Sequence, residues 1–332
     1  MYLNQIFELS MVLDKEKFQK ALTTVYDNSE YLEKNGDEYI NTSLSSKGIT
    51  IVCRNSQYKK KIKLIINSIL FLNYEEIKPK KIIKKLNKYI SEYFDSAYLL
   101  DDFNLTKVTF IADINIGDSD KLFAYIKVLE RIGKVKGFSP SNYACFDKNS
   151  SFCLDGNSNG IEFLIYDLRE MLINQLKEHE ISYKKQKSVI KKSEGILRAE
   201  VRLTEQKTIR AYTDKTDTSK QIMTSSEKNW DIFLNIFSQI IPFGDFYKKN
   251  KAMEIIQKEI TDITIKRRML RLVTLIPEKK SLLFAQKALN YRRIDDVMEA
   301  FEKINLSPVT ISKRHEVKYL KNLYSYLFDK KY

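Results

Sequence analysis

Apolar and polar positions alternate most regularly between Gly195 and Leu203. Leu197, Ala199, Val201 and Leu203 fall on one side of an extended chain, and Arg198, Glu200 and Arg202 on the other. Successive side chains of a strand point to opposite faces, so this pattern predicts a strand with one apolar and one charged face. The charged face has two readings: the solvated outside of a half-buried strand, or a carboxylate held between two arginines in a groove that handles phosphate and a metal ion. Other segments read in the same way. Ile6 to Leu13 predicts a strand, and Asp14 can cap a helix from Lys15 to Thr24. Gly48 to Cys53 and Ile62 to Leu72 predict two more strands, and Pro79 opens a basic helix running to about Phe94. Lys107 to Ile116 alternates again, with Val108, Phe110, Ala112, Ile114 and Ile116 opposite Thr109, Ile111, Asp113 and Asn115. A helix follows from Asp120 to Gly133. Phe146 to Cys153 and Ile161 to Tyr166 then suit a hairpin across the turn-rich segment 155–160. A long helix from Leu168 to about Gln186 leads into the alternating strand.

After about Thr213 the texture changes. The segment Thr213 to Gln221 is polar, and strand patterns all but vanish beyond it. Thr224 and Glu227 have capping-box spacing ahead of a stripe of Trp230, Phe233, Leu234, Phe237, Ile240 and Ile241. Further helices are expected near 249–260, 265–275, 279–289, 294–304 and 315–328. The expected organisation is a mixed α+β domain over 1–215 and an all-helical domain over 222–332. No internal repeat is visible in the sequence.

Composition narrows the class. A chain of 332 residues with 43% hydrophobic and 30% charged residues is built to fold, with room for two domains. Its 57 basic against 43 acidic side chains leave a net charge of +14, which points to an anionic partner. Cys53, Cys145 and Cys153 form no CxxC pair, as expected of reduced thiols in a cytoplasm. No secretory leader is evident, and no apolar stretch approaches the ~20 residues of a membrane span. A soluble, cytoplasmic protein is expected.

The chemistry begins with exclusions. There is no GxxxxGK[ST] loop and no GxGxxG, so nucleotide hydrolysis and dinucleotide binding are not expected. His179 and His315 are too far apart in sequence to encode a histidine-pair metal site. What remains are carboxylates on strands: Asp113 on a polar face, Asp167 at the end of Ile161 to Asp167, and Glu200 in the alternating strand. Carboxylate oxygens are the ligands that Mg2+ and Mn2+ favour, and two or three on one sheet face would make a site for phosphoryl transfer. Taken singly, each is a surface acid or an ion-pair partner.

Three segments together resemble a known family. They are Lys107-Val-Thr-Phe-Ile-Ala-Asp113-Ile, Ile165-Tyr-Asp167-Leu-Arg-Glu170 and Ile196-Leu-Arg-Ala-Glu200-Val-Arg-Leu. In this order they resemble the phage and plasmid replication initiators of low-GC Gram-positive bacteria, relatives of rolling-circle initiators and transposon-circle relaxases. Gly244-Asp-Phe-Tyr247-Lys-Lys-Asn-Lys251 is similar to that family's tyrosine-bearing helix start. Asn305-Leu-Ser-Pro308 with Tyr319 to Leu323 is similar to its C-terminal signature. The resemblance spans residues 105–325. It implies an antiparallel sheet with flanking helices, followed by a helical domain. It also implies a tyrosine that nicks one DNA strand at an origin, keeps the 5′ phosphate and leaves a free 3′ hydroxyl. A mobilisation relaxase or a non-enzymatic DNA-binding protein of the same fold are the alternatives. Two departures stand out: the His-hydrophobe-His motif of many initiators is absent, and Lys107-Val108-Thr109 replaces the usual Arg-Ile-Asp start.

On this resemblance Asp113 and Glu200, with Asp167, are the expected metal ligands for Mg2+ or Mn2+, and Tyr247 the expected nucleophile. A tyrosine of pKa about 10 is a poor nucleophile at neutral pH unless a cation stabilises its phenolate. If Tyr247 begins a helix, Lys251 lies on the same face and would do so, while Arg198 or Arg202 would neutralise phosphate oxygens. Tyr212, Tyr166 and Tyr291 are the alternatives. Basic runs supply the expected DNA contacts: Lys59 to Lys61, Lys80 to Lys85, Lys184 and Lys185 with Lys191 and Lys192, Lys248 and Lys249, and Lys266, Arg267 and Arg268. The segment 294–313 either forms a helix-turn-helix reader or simply packs the last helices together. The expected partner is single-stranded or supercoiled origin DNA, with a host helicase and a second copy of the chain as further candidates and no membrane.

Overall fold

Alternating segments of the chain pair edge to edge because each has a backbone ladder to complete and one apolar face to bury. A computed structural model describes residues 3–27, 32–73, 78–94, 98–142, 150–156, 158–178 and 183–328. The elements begin with β1 (Asn4–Leu13), α1 (Lys15–Asp27), β2 (Leu32–Asn35), β3 (Glu38–Asn41), β4 (Ile49–Asn55), β5 (Lys60–Asn67), α2 (Ser68–Phe71) and α3 (Pro79–Phe94). They continue with β6 (Asn104–Asn115), α4 (Ser119–Leu129), β7 (Ser139–Pro140), β8 (Ser151–Gly156), β9 (Ile161–Asp167), α5 (Leu168–Glu178), α6 (Tyr183–Lys192), β10 (Ile196–Leu203) and α7 (Gln206–Thr213). The rest comprises α8 (Thr218–Glu227), α9 (Asn229–Ile240), β11 (Phe246–Tyr247), α10 (Lys249–Glu259), α11 (Ile263–Lys279), α12 (Leu282–Leu289), α13 (Ile294–Lys303), β12 (Tyr319–Leu320) and α14 (Leu323–Phe328). The chain is thus a mixture of helix and strand, with one large antiparallel sheet and a mostly helical C-terminal region.

The ten-stranded sheet has the order β2-β3-β4-β5-β1-β6-β10-β9-β8-β7. Read outward from the centre, each half repeats one scheme. In β1 to β5 the first strand pairs with the fifth, then come the fourth, third and second; β6 to β10 follow the same order. A helix joins the first strand to the second in both halves, and the two first strands, β1 and β6, meet antiparallel. The fold therefore contains a topological duplication that no residue repeat announces.

One face of the sheet carries the main core. Leu197, Ala199, Val201 and Leu203 of β10 join Val108, Phe110, Ala112 and Ile114 of β6 and Ile62, Leu64 and Ile66 of β5 there. Helices α1, α3 and α4 pack on this face, and so does the C-terminal region: Phe233, Phe237, Phe246, Leu272, Val297 and Leu327 belong to the same buried cluster. Each Val, Leu, Ile or Phe side chain among these contributes ~1.5–3 kcal/mol when fully buried. The core is continuous across residue 215.

Local chemistry explains where the elements depart from expectation. The strand expected over 62–72 ends at Asn67, whose side chain accepts a hydrogen bond from the Leu70 amide and starts α2. The helix expected from Leu168 to Gln186 is two helices, α5 and α6, with 179–182 outside the described residues. So are His179, Cys145 and the start of the strand expected from Phe146. The polar segment 213–221 is tied to the sheet layer: Thr218 Oγ1 donates to the Phe103 carbonyl and Ser219 Oγ to Asp101. Thr224 lies inside α8, so the capping-box spacing there caps nothing. The C-terminal region is not all helix, since β11 pairs with β12. No helix starts at Lys313: Leu306 and Ile311 instead bridge to Asp245 and Lys248, which removes the helix-turn-helix reading. Among the described residues no helix is long and apolar enough to cross a membrane.

Candidate functional site

The charged side of β10 lies on the sheet's second face, away from the main core. Here β6, β10 and β9 are neighbours, so the three motif segments meet: Arg198 sits between Asp113 and Tyr166, and Arg202 between Thr109 and Glu162. Glu200 lies two residues from Arg198, diagonal to Asp113 across adjacent strands. The face is only partly solvated: the Asp113 side chain is 41% exposed, but its neighbours are largely covered. Glu200 is only 6% exposed, and the Arg198 and Arg202 side chains are 23% and 19% exposed. Leu164, Tyr166 and Cys153 form a small second core with Leu168, and Met171 and Leu172 of α5 pack against it.

The polar groups are paired in a definite way. Arg198 forks onto Asp113, with Nε to Oδ1 at 2.6 Å and Nη2 to Oδ2 at 2.8 Å. Arg202 Nε donates to Glu200 Oε2 at 2.8 Å, and its Nη1 reaches Glu162 Oε2 at 3.4 Å. Tyr166 donates its hydroxyl proton to Glu200 Oε1 at 2.5 Å. Glu200 is therefore held between an arginine and a tyrosine, while the second arginine crosses to Asp113. Burial opposes the charge on Arg198, but the hydrogen bonds and charge of Asp113 outweigh it and raise its pKa. Burial, then the nearby Glu200 charge, raises the Tyr166 pKa, which keeps the phenol protonated and donating.

Asp167 does not join this network. Its Oδ1 accepts from the Arg169 and Glu170 amides at 2.9 and 3.3 Å, so it caps the start of α5. Nor do the remaining carboxylates suit Mg2+ or Mn2+ as arranged. Both Asp113 oxygens are taken by Arg198, and the Glu200 oxygens by Tyr166 and Arg202. A divalent ion would have to displace two guanidinium contacts beside their positive charge. Among the described residues no group of three or more His, Cys, Asp or Glu could hold a metal ion.

The expected nucleophile lies elsewhere. Tyr247 is not at a helix start but in β11, with its ring 5.1 Å from that of Tyr319, and α10 begins only at Lys249. It packs against the main core, on the opposite side of the sheet from Glu200. Lys251 bonds Glu254 at 2.8 Å. Its charge does act to lower the Tyr247 pKa, but burial and Asp245 prevail and raise it. Tyr212 packs against the same core. The tyrosine that touches the acid network is Tyr166, and the signal for it was its position beside Asp167 on a strand of the same sheet.

The expected DNA contacts are dispersed. Lys191 and Lys192 are exposed on α6; Lys184 and Lys185 fall outside the residues whose side chains are described. Lys248 Nζ donates to the His315 carbonyl, and Lys266 Nζ to that of Gln257. Lys249 is half-buried and Arg267 exposed. Arg268 lies over the Tyr291 ring at 4.9 Å. None of these belongs to the β6, β9 and β10 network, whose only basic members are Arg198 and Arg202 among the described residues. No protein-family model matches this chain, and no curated protein matches it either.

Proposed function

We propose that this chain is a DNA-binding protein of the rolling-circle replication-initiator type, with the second face of the sheet turned towards DNA. The observation that carries the reading is that the three segments resembling initiators are neighbouring strands, and that Asp113 and Arg198 form one pair beside the linked Tyr166, Glu200 and Arg202. An arginine fork held by a carboxylate is pre-organised, so exchanging or sharing that carboxylate for a phosphodiester costs little ordering entropy. The net charge of +14 supplies the long-range attraction to DNA. The helices behind the sheet then serve as a scaffold and an accessory DNA surface. The reading is tested by titrating a labelled single-stranded oligonucleotide against the protein and against Arg198→Gln/Arg202→Gln. Weakened binding by a folded variant supports it; unchanged binding by that variant removes this face from the DNA contact.

A second reading adds strand nicking, and the contact between Tyr166 and Glu200 favours it. Glu200 would take the phenol proton as the Tyr166 oxygen bonds to phosphorus; the bond to the 3′ oxygen breaks, and that oxygen leaves as a hydroxyl after gaining a proton. At 2% exposure Tyr166 would need α5 to move aside first. A covalent protein–DNA adduct in the wild type that is lost in Tyr166→Phe and kept in Tyr247→Phe supports nicking through this site. An adduct lost only in Tyr247→Phe restores the nucleophile expected from the sequence. No adduct with any origin-containing oligonucleotide leaves binding as the function.

A further inference from the structure

The duplicated topology gives the acid and arginine network a counterpart in the first half of the sheet and its junction with β6, and its charge has the opposite sign. Around β6, β9 and β10 the carboxylates of Asp113, Glu162 and Glu200 outnumber Arg198 and Arg202. That site has no net positive charge to draw a phosphate in from a distance, so its arginines act on a strand already held nearby. On the same face, β4, β5 and β6 present Arg54, Lys61, Lys63 and Lys107. Lys61 is in register with Arg54, Lys107 with Glu8, and Lys63 Nζ lies 2.5 Å from Glu8. Lys107 shares that carboxylate at 3.7 Å. Glu38, opposite Arg54 on β3, and Glu33, opposite Ile40 on the edge strand β2, are the other acids on this side. Four cations thus face three carboxylates among the described residues.

The crowding is felt within the cluster. Burial, then the charges of Lys63 and Lys59, pushes the Lys61 pKa down, against the pull of Glu8. A bound anion would relieve the Lys63 and Lys59 charges that weigh on Lys61. At the β4–β5 turn Tyr58 is 92% exposed, an aromatic ring available for stacking a base beside these lysines. Cations with a stacking ring fit nucleic acid better than a lipid headgroup.

We propose that Arg54, Lys61, Lys63 and Lys107 form a DNA-backbone anchor, separate from the Arg198 and Glu200 site and held at a fixed distance from it. This rests on the DNA-binding function proposed above. Three strand spacings separate β5 from β10, about 14 Å at roughly 4.8 Å each, so a strand gripped by the anchor is delivered to the neighbouring site. Glu8 limits the affinity by occupying two of the four cations. The division of labour is that the cations gathered around Glu8 attract and the Arg198 and Glu200 site recognises.

The test is the affinity of a labelled single-stranded oligonucleotide across a salt series, for the wild type, Lys61→Gln/Lys63→Gln and Glu8→Gln. The lysine variant should bind about tenfold more weakly and flatten the salt slope by about 1.4, at roughly 0.7 for each phosphate no longer neutralised. Glu8→Gln should bind more tightly, a gain that a folding defect does not produce. Salt-sensitive wild-type binding that neither variant alters overturns the anchor and leaves the DNA-binding function standing. Lysine-dependent binding to vesicles of anionic phospholipid with none to DNA assigns the cluster to a membrane surface instead and overturns the anchor. Wild-type protein with no salt-dependent affinity for DNA defeats both.

Discussion

At the scale of single residues, Glu200 holds the site together. Its two oxygens satisfy Tyr166 and Arg202, so Glu200→Ala strands a buried phenol and a half-buried guanidinium. We expect a loss of about 2–3 kcal/mol in urea unfolding, and Glu200→Gln to lose less. An unchanged urea midpoint for the Ala variant would show that the network adds nothing to stability. Several phenols also titrate against the fold. Burial raises Tyr125, Tyr166 and Tyr324 above 10.0, and burial with Asp245 takes Tyr319 to about 12. The folded state keeps these protons longer than the unfolded state does. Their contribution is therefore complete below pH 10 and is lost as pH rises through the folded values. The melting temperature should hold below pH 10 and fall between 10 and 12. A melting temperature unchanged across that range would contradict this. Burial alone takes the Cys53 thiol to about 12, so alkylating reagents should label it only after unfolding.

At the scale of elements, strands were legible wherever one face is buried. The alternation from Leu197 to Leu203 and from Val108 to Ile114 fixed both the strands and the sides their side chains occupy. The shared face of Asp113 and Glu200 could be read for the same reason. What could not be read was set by partners distant in the chain. Tyr247 looked like a helix start because Lys249 to Glu259 is helical, yet pairing with Tyr319 draws it into a strand. Asp167 looked like a ligand, but amides two and three residues on claim it as a cap. Arg198 and Glu200 looked like partners, whereas each bonds across to another strand or along its own to Arg202. Gly195, just before β10, has φ +71, and a Cβ there would lie 2.9 Å from the Gly117 backbone. Gly195→Ala should therefore cost about 1–3 kcal/mol and disturb the start of β10 beside β6. An Ala variant with wild-type stability would mean that the turn relaxes freely.

At the scale of the whole molecule, the sheet separates two tasks. Its main face carries a core shared with the C-terminal helices, and its second face carries charge. That arrangement was hidden from the sequence because the two halves share a strand order without a shared run of residues; in both, an acid of the first strand pairs with a cation of the fifth, Glu8 with Lys63 and Asp113 with Arg198. The basic excess was visible in composition, but its concentration on β4, β5 and β6 depends on register. Lys60, between Lys59 and Lys61 in the same run, turns instead to the Ser56 carbonyl. If this charged face binds DNA, its affinity must depend steeply on salt. Phosphates neutralised by Arg54, Lys61, Lys63 and Lys107 predict that log affinity for a single strand falls linearly with log salt, with a slope of about −3 or steeper. A slope near zero would show that the charged face of the sheet does not bind DNA.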